Sequence, residues 1–201
     1  MVVCEDPHWA YYAPPKTGTR TVLDRLKHCG WRQHEGNKHE IAVPPDYKKY
    51  FHFVTVRNPF SRMVSIWSHL QNKIISKWPT PHRQRLHDET QGLSFDQFLH
   101  DERWSAWDIE KTVRMQCEYL SAMPFVNHVI RHETFEQDFR QLPFAGRSDK
   151  PLPRLNKGLY RKDKPWWEHY TMSGEQLVRE RYAEDFQATG YSMSLDEAIA
   201  V

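Results

Sequence analysis

The stretch Trp9-Ala-Tyr-Tyr-Ala-Pro-Pro-Lys16-Thr-Gly18-Thr-Arg-Thr21-Val22 decides how the chain is read. Trp9 to Ala13 has the aromatic content of a strand, and Pro14-Pro15 ends it. Lys16 to Thr21 makes a sharp turn, after which Val22, Leu23, Leu26 and Cys29 recur at helical spacing. A tight turn feeding a helix N-terminus turns N–H groups outward, and the helix dipole favours negative charge there. Gly18 lets the backbone approach a ligand closely, and Lys16 adds a positive charge. The stretch predicts a phosphate- or sulfate-binding loop on an α/β scaffold.

The same arrangement recurs forty residues on. Phe51-His-Phe-Val-Thr-Val56 is an apolar run that suits a buried parallel strand. Arg57-Asn58-Pro59 ends it, and Pro59 fits the first turn of a helix whose apolar stripe is Met63, Trp67, Leu70 and Ile74. Two strand–turn–helix units predict a central parallel sheet with right-handed crossovers, flanked by helices. Ligands of such sheets bind at the carboxyl ends of the strands, where Lys16 and Arg57 both fall.

The remaining elements are read more coarsely. Gly30 is expected to stop the first helix. Residues 31–50 read as loop, with a short extended piece from His39 to Val43, and Ser76 to Gly92 reads as loop or insertion. Ser94 caps a short helix ending at Leu99. Residues 108–122 form a helix with Val113, Cys117 and Leu120 inward. Phe125 to Ile130 is a third strand, and Glu133 to Leu142 a further helix. Residues 143–165 are irregular. Ser173 and Gln176 form a capping box, with Met172 against Leu177 as a staple, and the last helix buries Val178, Tyr182 and Phe186 before Gly190 ends it.

Composition narrows the function classes. A chain of 201 residues is expected to form one domain with a sizeable core. Its hydrophobic fraction is 39% and its mean hydropathy −0.81, and no apolar run reaches membrane-spanning length. The N-terminus lacks the pattern of a signal peptide, so a full-length chain is expected to be cytoplasmic. The three cysteines, Cys4, Cys29 and Cys117, show no metal spacing and read as reduced thiols. Twelve histidines are scattered, and none forms an HExxH pattern. A net charge of +2 argues against a general nucleic-acid binder. Arg154, Lys157, Arg161, Lys162 and Lys164 nevertheless concentrate positive charge in one segment.

The first loop is not a Walker A loop, because Lys16 precedes its only glycine and no acidic strand end stands ready for Mg²⁺. Taken alone, it is as consistent with an ordinary Pro- and Gly-punctuated turn. The second loop weighs against that. Arg57-Asn-Pro-Phe-Ser-Arg62-Met-Val-Ser65-Ile-Trp67 has the form RNPxxRxxSxW. An arginine grips a phosphate bidentately, and a helical serine adds a further bond.

Together the two loops resemble the cofactor motifs of sulfotransferases that use 3′-phosphoadenosine 5′-phosphosulfate (PAPS), closest to the carbohydrate branch. Lys16 to Thr21 resembles the 5′-phosphosulfate loop, and Arg57 through Ser65 the 3′-phosphate motif. Lys38-His39 is similar to a Lys-His pair of many members. Arg131 to Phe139 resembles a strand-then-acidic-helix segment, and Leu177 to Tyr191 a C-terminal helix. The resemblance covers most of residues 10–191 in patches.

The resemblance implies an α/β fold, a three-layer sandwich like a P-loop nucleotide kinase with a central parallel sheet flanked by helices, and it implies roles. Lys16, Thr17, Gly18, Thr19, Arg20 and Thr21 hold the 5′-phosphate, and Lys16 steadies charge on the leaving oxygen. Arg57 and Ser65 hold the 3′-phosphate, and Arg154 and Lys157 lie in a segment over the nucleotide. In-line transfer to an acceptor hydroxyl, on a carbohydrate, needs no metal and leaves 3′-phosphoadenosine 5′-phosphate. His39 is the candidate base, with Glu40, Glu35 and His34 as substitutes. His52 and His69 read as packing or helix-surface residues, and Arg62 as structural. Trp166-Trp167 reads either as a sugar-stacking wall or as core. Rival readings are a sulfotransferase acting on a small alcohol, phenol or lipid, and a nucleotide kinase or non-catalytic phosphate-binding module.

Overall fold

A computed structural model describes residues 1–27, 30–34, 38–39, 41, 44–71, 81–103, 113–123, 125–146 and 164–200. The chain divides into two compact units, Met1–Arg57 with Arg114–Leu155, and Asn58–Val113 with Asn156–Val201.

The first unit carries a five-stranded sheet. Its strands are β1 (Val2–Glu5), β2 (His8–Tyr12), β3 (Arg32–Gln33), β4 (Phe51–Val56) and β5 (His128–Arg131), in the order β3-β1-β2-β4-β5. Strands β2, β4 and β5 run parallel, pairing Trp9 with Phe51, Tyr12 with Val54, and Val56 with Arg131. Strand β1 pairs antiparallel with both β2 and β3, so the sheet is mixed, not the wholly parallel one expected. The reason is local. A turn at Asp6 and Pro7 folds Val2-Val-Cys4 back on Trp9 as a hairpin, which needs no crossover.

Helix α1 (Thr19–Arg25) packs on one face of this sheet. Val22, Leu23 and Leu26 meet Trp9, Tyr11, Phe53 and Ile130, together with Phe139 and Leu142. Ala10, Tyr12 and Val54, on the alternate positions, are also buried. Burial on both faces is why Phe51–Val56 is almost continuously apolar. Gly30 does have a positive φ of 63°, but the helix ends earlier, at Arg25.

Two further helices of this unit are shorter than expected. Below, α5 denotes Gln116–Ser121 and α6 Phe135–Phe139. Residues 113–115 are not helical, 108–112 lie outside the described residues, and α5 turns Gln116 and Tyr119 inward. Cys117 and Leu120 are only half-buried. His39 sits in a turn, not a strand, and residues 42 and 43 of the expected extended piece lie outside the described residues.

The second unit is helical among its described residues. Helix α2 (Pro59–Leu70) begins with Asn58 as cap, whose Oδ1 accepts from the N–H of Phe60, and with Pro59 at the first turn. It is buried nearly all round. Around it lie α3 (Pro81–Thr90), α4 (Phe95–Leu99) and α7 (Met172–Arg181). Phe60, Trp67, Phe95, Tyr170 and Phe186 form its aromatic core. Ser94 and Gln97 make the reciprocal capping box at α4.

Four expectations for this unit need correction. Helix α3 occupies much of the segment read as loop. It has one aliphatic contact, Leu86, and is tied in through His87 Nδ1 and the carbonyl of Leu70 at 2.7 Å. The cap of α7 is Thr171, whose hydroxyl accepts from the N–H of Gly174, and not Ser173. Met172 is 90% exposed and makes no staple. The terminal helix is broken after Arg181, and α8 (Ala183–Thr189) continues to Gly190, which has the left-handed conformation expected of a stop. Val178, Tyr182 and Phe186 are buried as read, and a last short helix, α9, spans Leu195–Ile199. No helix among the described residues is long and apolar enough to cross a membrane.

Candidate active site

The parallel strands β2, β4 and β5 end at Tyr12, Val56 and Arg131, and the residues that follow gather at that edge. After β2 the chain runs through Ala13, Pro14 and Pro15 into a turn in which Lys16 takes a φ of 70° and Gly18 a φ of 101°. A positive φ on a lysine is uncommon and is held only where the surroundings over-determine it. Gly18 is the N-cap of α1, and its carbonyl accepts from the N–H of Thr21 at 2.9 Å and of Val22 at 3.3 Å. Gly18 has no side chain with which to cap this helix. The space a Cβ would need at Gly18 is taken by the Phe135 ring, 2.9 Å from where that atom would sit. Ring packing therefore requires the glycine as much as its φ does.

Beneath the turn lies a chain of buried hydroxyls. Thr17 Oγ1 donates to the carbonyl of Pro14 at 2.7 Å and lies 2.6 Å from Thr55 Oγ1, which lies 2.7 Å from the Tyr11 hydroxyl. Burial pushes the Tyr11 phenol well above its ordinary range, and the nearby Thr55 and Thr19 hydroxyls offset a part of that. Thr19 Oγ1 is enclosed close to Tyr11 but closes no hydrogen bond of good geometry among the described residues. A buried hydroxyl in that state is suited to an outside partner, and the turn fits an anionic oxygen in that respect. Arg20 is exposed, while Lys16 and Thr21 are half-buried.

Arg57, one residue past β4, is buried and donates from Nη1 to the carbonyl of Lys16 at 3.2 Å. The structure thus brings the Arg57 guanidinium to the main chain of Lys16. His39 also belongs here. Its Nδ1 lies 2.5 Å from the carbonyl of Ala13, the residue after β2, and its own carbonyl accepts from the Tyr119 hydroxyl at 3.0 Å. A carbonyl only accepts, so Nδ1 carries the proton and, in the neutral ring, Nε2 carries the lone pair.

Ser65 belongs to the second unit, half-buried on α2. Arg154 and Lys157 lie outside the described residues, as do Glu35 and Glu40. Arg62 is structural, as read. It is 1% exposed and its Nη1 stands 3.6 Å from Oδ2 of Asp185, itself fully buried. His69 is exposed on α2. His52 is buried against Tyr12, their rings stacked at 5.8 Å, and burial lowers its pKa. Trp166 and Trp167 are half-buried and meet edge-on at 5.7 Å, which favours neither of their readings.

Sequence reasoning missed Thr55, Gln116 and Phe135, all of which touch the site. Gln116 bonds both main-chain groups of Arg57, and Phe135 packs on Gly18. No signal marked them, because a threonine in an apolar strand, or a polar or aromatic residue on a short helix, reads equally well as surface or core. Among the described residues no three His, Cys, Asp or Glu side chains gather in a metal-binding group.

No curated protein and no solved structure matches the chain. A family model, described as the sulfotransferase family, matches residues 15–192 of the 201. That span begins at the Pro15 turn and takes in Lys16, His39, Arg57 and Ser65, so the chain belongs to the sulfotransferase family.

Proposed function

We propose that this protein transfers a sulfuryl group from 3′-phosphoadenosine 5′-phosphosulfate to a hydroxyl of a carbohydrate. The observation that carries the reading is the Arg57 guanidinium on the Lys16 carbonyl, two cationic residues at one strand edge in a chain of the sulfotransferase family. A donor phosphorylated at both the 3′ and 5′ positions needs two such groups. When bound, it supplies an activated sulfuryl group.

The chain's own residues would act as follows. The turn from Thr17 to Thr21 holds the 5′-phosphate with main-chain N–H groups and the Thr19 and Thr21 hydroxyls. Lys16 places positive charge where negative charge grows on the leaving oxygen. Arg57 and Ser65 hold the 3′-phosphate, with Arg154 and Lys157 adding charge on that side. His39 takes the acceptor's proton at Nε2, since Ala13 fixes the tautomer that leaves a lone pair there. We read the two units as one sulfotransferase domain with the layered topology of a nucleotide kinase, because the family match runs through both.

Titration calorimetry with adenosine 3′,5′-bisphosphate and with ATP tests the donor. The bisphosphate is expected to bind far more tightly. Equal binding of both, insensitive to Arg57→Ala, overturns the reading. Mass spectrometry of oligosaccharides, phenols and lipids incubated with labelled donor then identifies the acceptor. Sulfation confined to phenols or lipids would overturn the carbohydrate assignment alone.

A further inference from the structure

Helix α5 has two buried residues, Gln116 and Tyr119, set one turn apart on one face. Both reach the strand edge described above. Tyr119 donates its hydroxyl to the carbonyl of His39. Gln116 is fully buried and meets Arg57 twice. Its Oε1 accepts from the Arg57 N–H at 2.8 Å, and its Nε2 donates to the Arg57 carbonyl at 2.9 Å.

The position of Arg57 explains what that pair of bonds does. The β2–β4 ladder pairs residues up to Val54, and the β4–β5 ladder up to Val56. Arg57 lies just beyond the last pair, where the sheet no longer fixes the main chain. A glutamine amide presents one donor and one acceptor at the spacing of a peptide group, so Gln116 takes the part of a neighbouring strand for one more residue. The main chain of Arg57 is held on one side by this amide, and its guanidinium on the other by the Lys16 carbonyl. The side chain is thereby oriented at both ends.

We propose that Gln116 is the positioning residue for Arg57 and so sets the preference for a nucleotide phosphorylated at the 3′ position. This rests on the reading of Arg57 as a 3′-phosphate group. Gln116 does not touch the ligand in this role, and its effect passes through Arg57.

The test is the ratio of two affinities, for adenosine 3′,5′-bisphosphate and for adenosine 5′-monophosphate, measured by calorimetry. A purely structural role would weaken both ligands together or lower only the melting temperature. Gln116→Met is expected to lower the ratio roughly tenfold, the scale of a lost hydrogen-bond pair, with monophosphate affinity unchanged. In an Arg57→Ala background the same substitution is expected to change the ratio no further. Should Gln116→Met fail to fold, Gln116→Glu keeps the acceptor and removes the donor, and is expected to lower the ratio in the same direction. A wild-type ratio kept by a folded Gln116 variant overturns the positioning role. So does an equal loss in the presence and absence of Arg57. An unchanged ratio in Arg57→Ala itself would instead overturn the reading of Arg57, and separates the two failures.

Discussion

Arg57 donates from Nη1 to the carbonyl of Lys16 at 3.2 Å, so the second anion-binding candidate is tied to the main chain of the first. Displacing either loop therefore disturbs the other, and side-chain truncations are the cleaner probes of their separate parts.

Lys16→Ala leaves that carbonyl in place and removes the side chain beyond Cβ, the ammonium with it. Turnover should fall by about two orders of magnitude or more, the scale of losing one transition-state donor. Bisphosphate affinity should fall much less. His39→Ala should remove the low-pH limb of the activity profile and spare bisphosphate binding. Steady-state kinetics beside calorimetry separates the two, and full turnover in either variant would remove the role assigned to it.

Gly18→Ala adds a Cβ where the Phe135 ring stands 2.9 Å away, at a φ of 101° that side chains rarely adopt. A loss of about 1–3 kcal/mol is expected from the strained backbone alone. Thermal melts of Gly18→Ala and of Gly18→Ala with Phe135→Leu apportion the cost. If relieving the ring restores full stability, φ is not the cause.

Thr55→Val keeps the shape of the side chain and removes the middle hydroxyl of the chain under the turn. Tyr11 and Thr17 each lose a partner at 2.7 and 2.6 Å. The expected loss is about 1–3 kcal/mol in chemical denaturation, because buried groups are left unmatched. A Tyr11→Phe and Thr55→Val double variant should be milder than the sum of the singles.

In the second unit, Asp185→Ala removes the carboxylate beside the buried Arg62 guanidinium, and the pair's exposures of 1% and 0% leave little room for water. A loss of about 3–5 kcal/mol is expected for breaking such a pair. Replacing both partners, as Arg62→Leu with Asp185→Leu, should recover a substantial share. Urea melts of the three variants decide it, and an equal loss in the double variant would mean the hydrogen bonds around the pair matter more than the charges.

His52 gives a pH dependence of known sign. Burial lowers its pKa in the folded chain below the ordinary value of 6.5, so the unfolded chain takes up a proton first as the pH falls. Stability should drop as the pH descends through about 6.5 and level off below the folded value. His52→Gln should flatten that slope in melts taken between neutral and mildly acidic pH. An unchanged slope would assign the effect to other groups.

What the sequence disclosed depended on how directly each residue states its environment. The run Phe51–Val56 could only be a strand buried on both faces, and the turn after Pro15 announced itself through Gly18. Residues 81–90 carry almost no apolar pattern, and their helix depends on Leu86 and on hydrogen bonds from His87 and Thr90, which no periodicity reveals. The hairpin strand Val2–Glu5 has only the short apolar run Val2-Val-Cys4 before Asp6 and Pro7, too short for alternation to mark it as a strand. Lys16, His39 and Arg57 were put forward because charge and family pattern coincide there. Gln116 and Thr55 were not, since a glutamine or threonine states nothing about whom it bonds until its neighbours are known.

The hydroxyl chain beneath the turn also has a sense of direction. Pro14 has a carbonyl but no N–H, so Thr17 must spend its single proton there. Thr17 can then only accept from Thr55, and Thr55 only from Tyr11. The three O–H dipoles are thus ordered head to tail, from Tyr11 through Thr55 and Thr17 to the carbonyl of Pro14. One carbonyl thereby fixes the proton order of the whole floor, so a change at any of its hydroxyls is felt along the row.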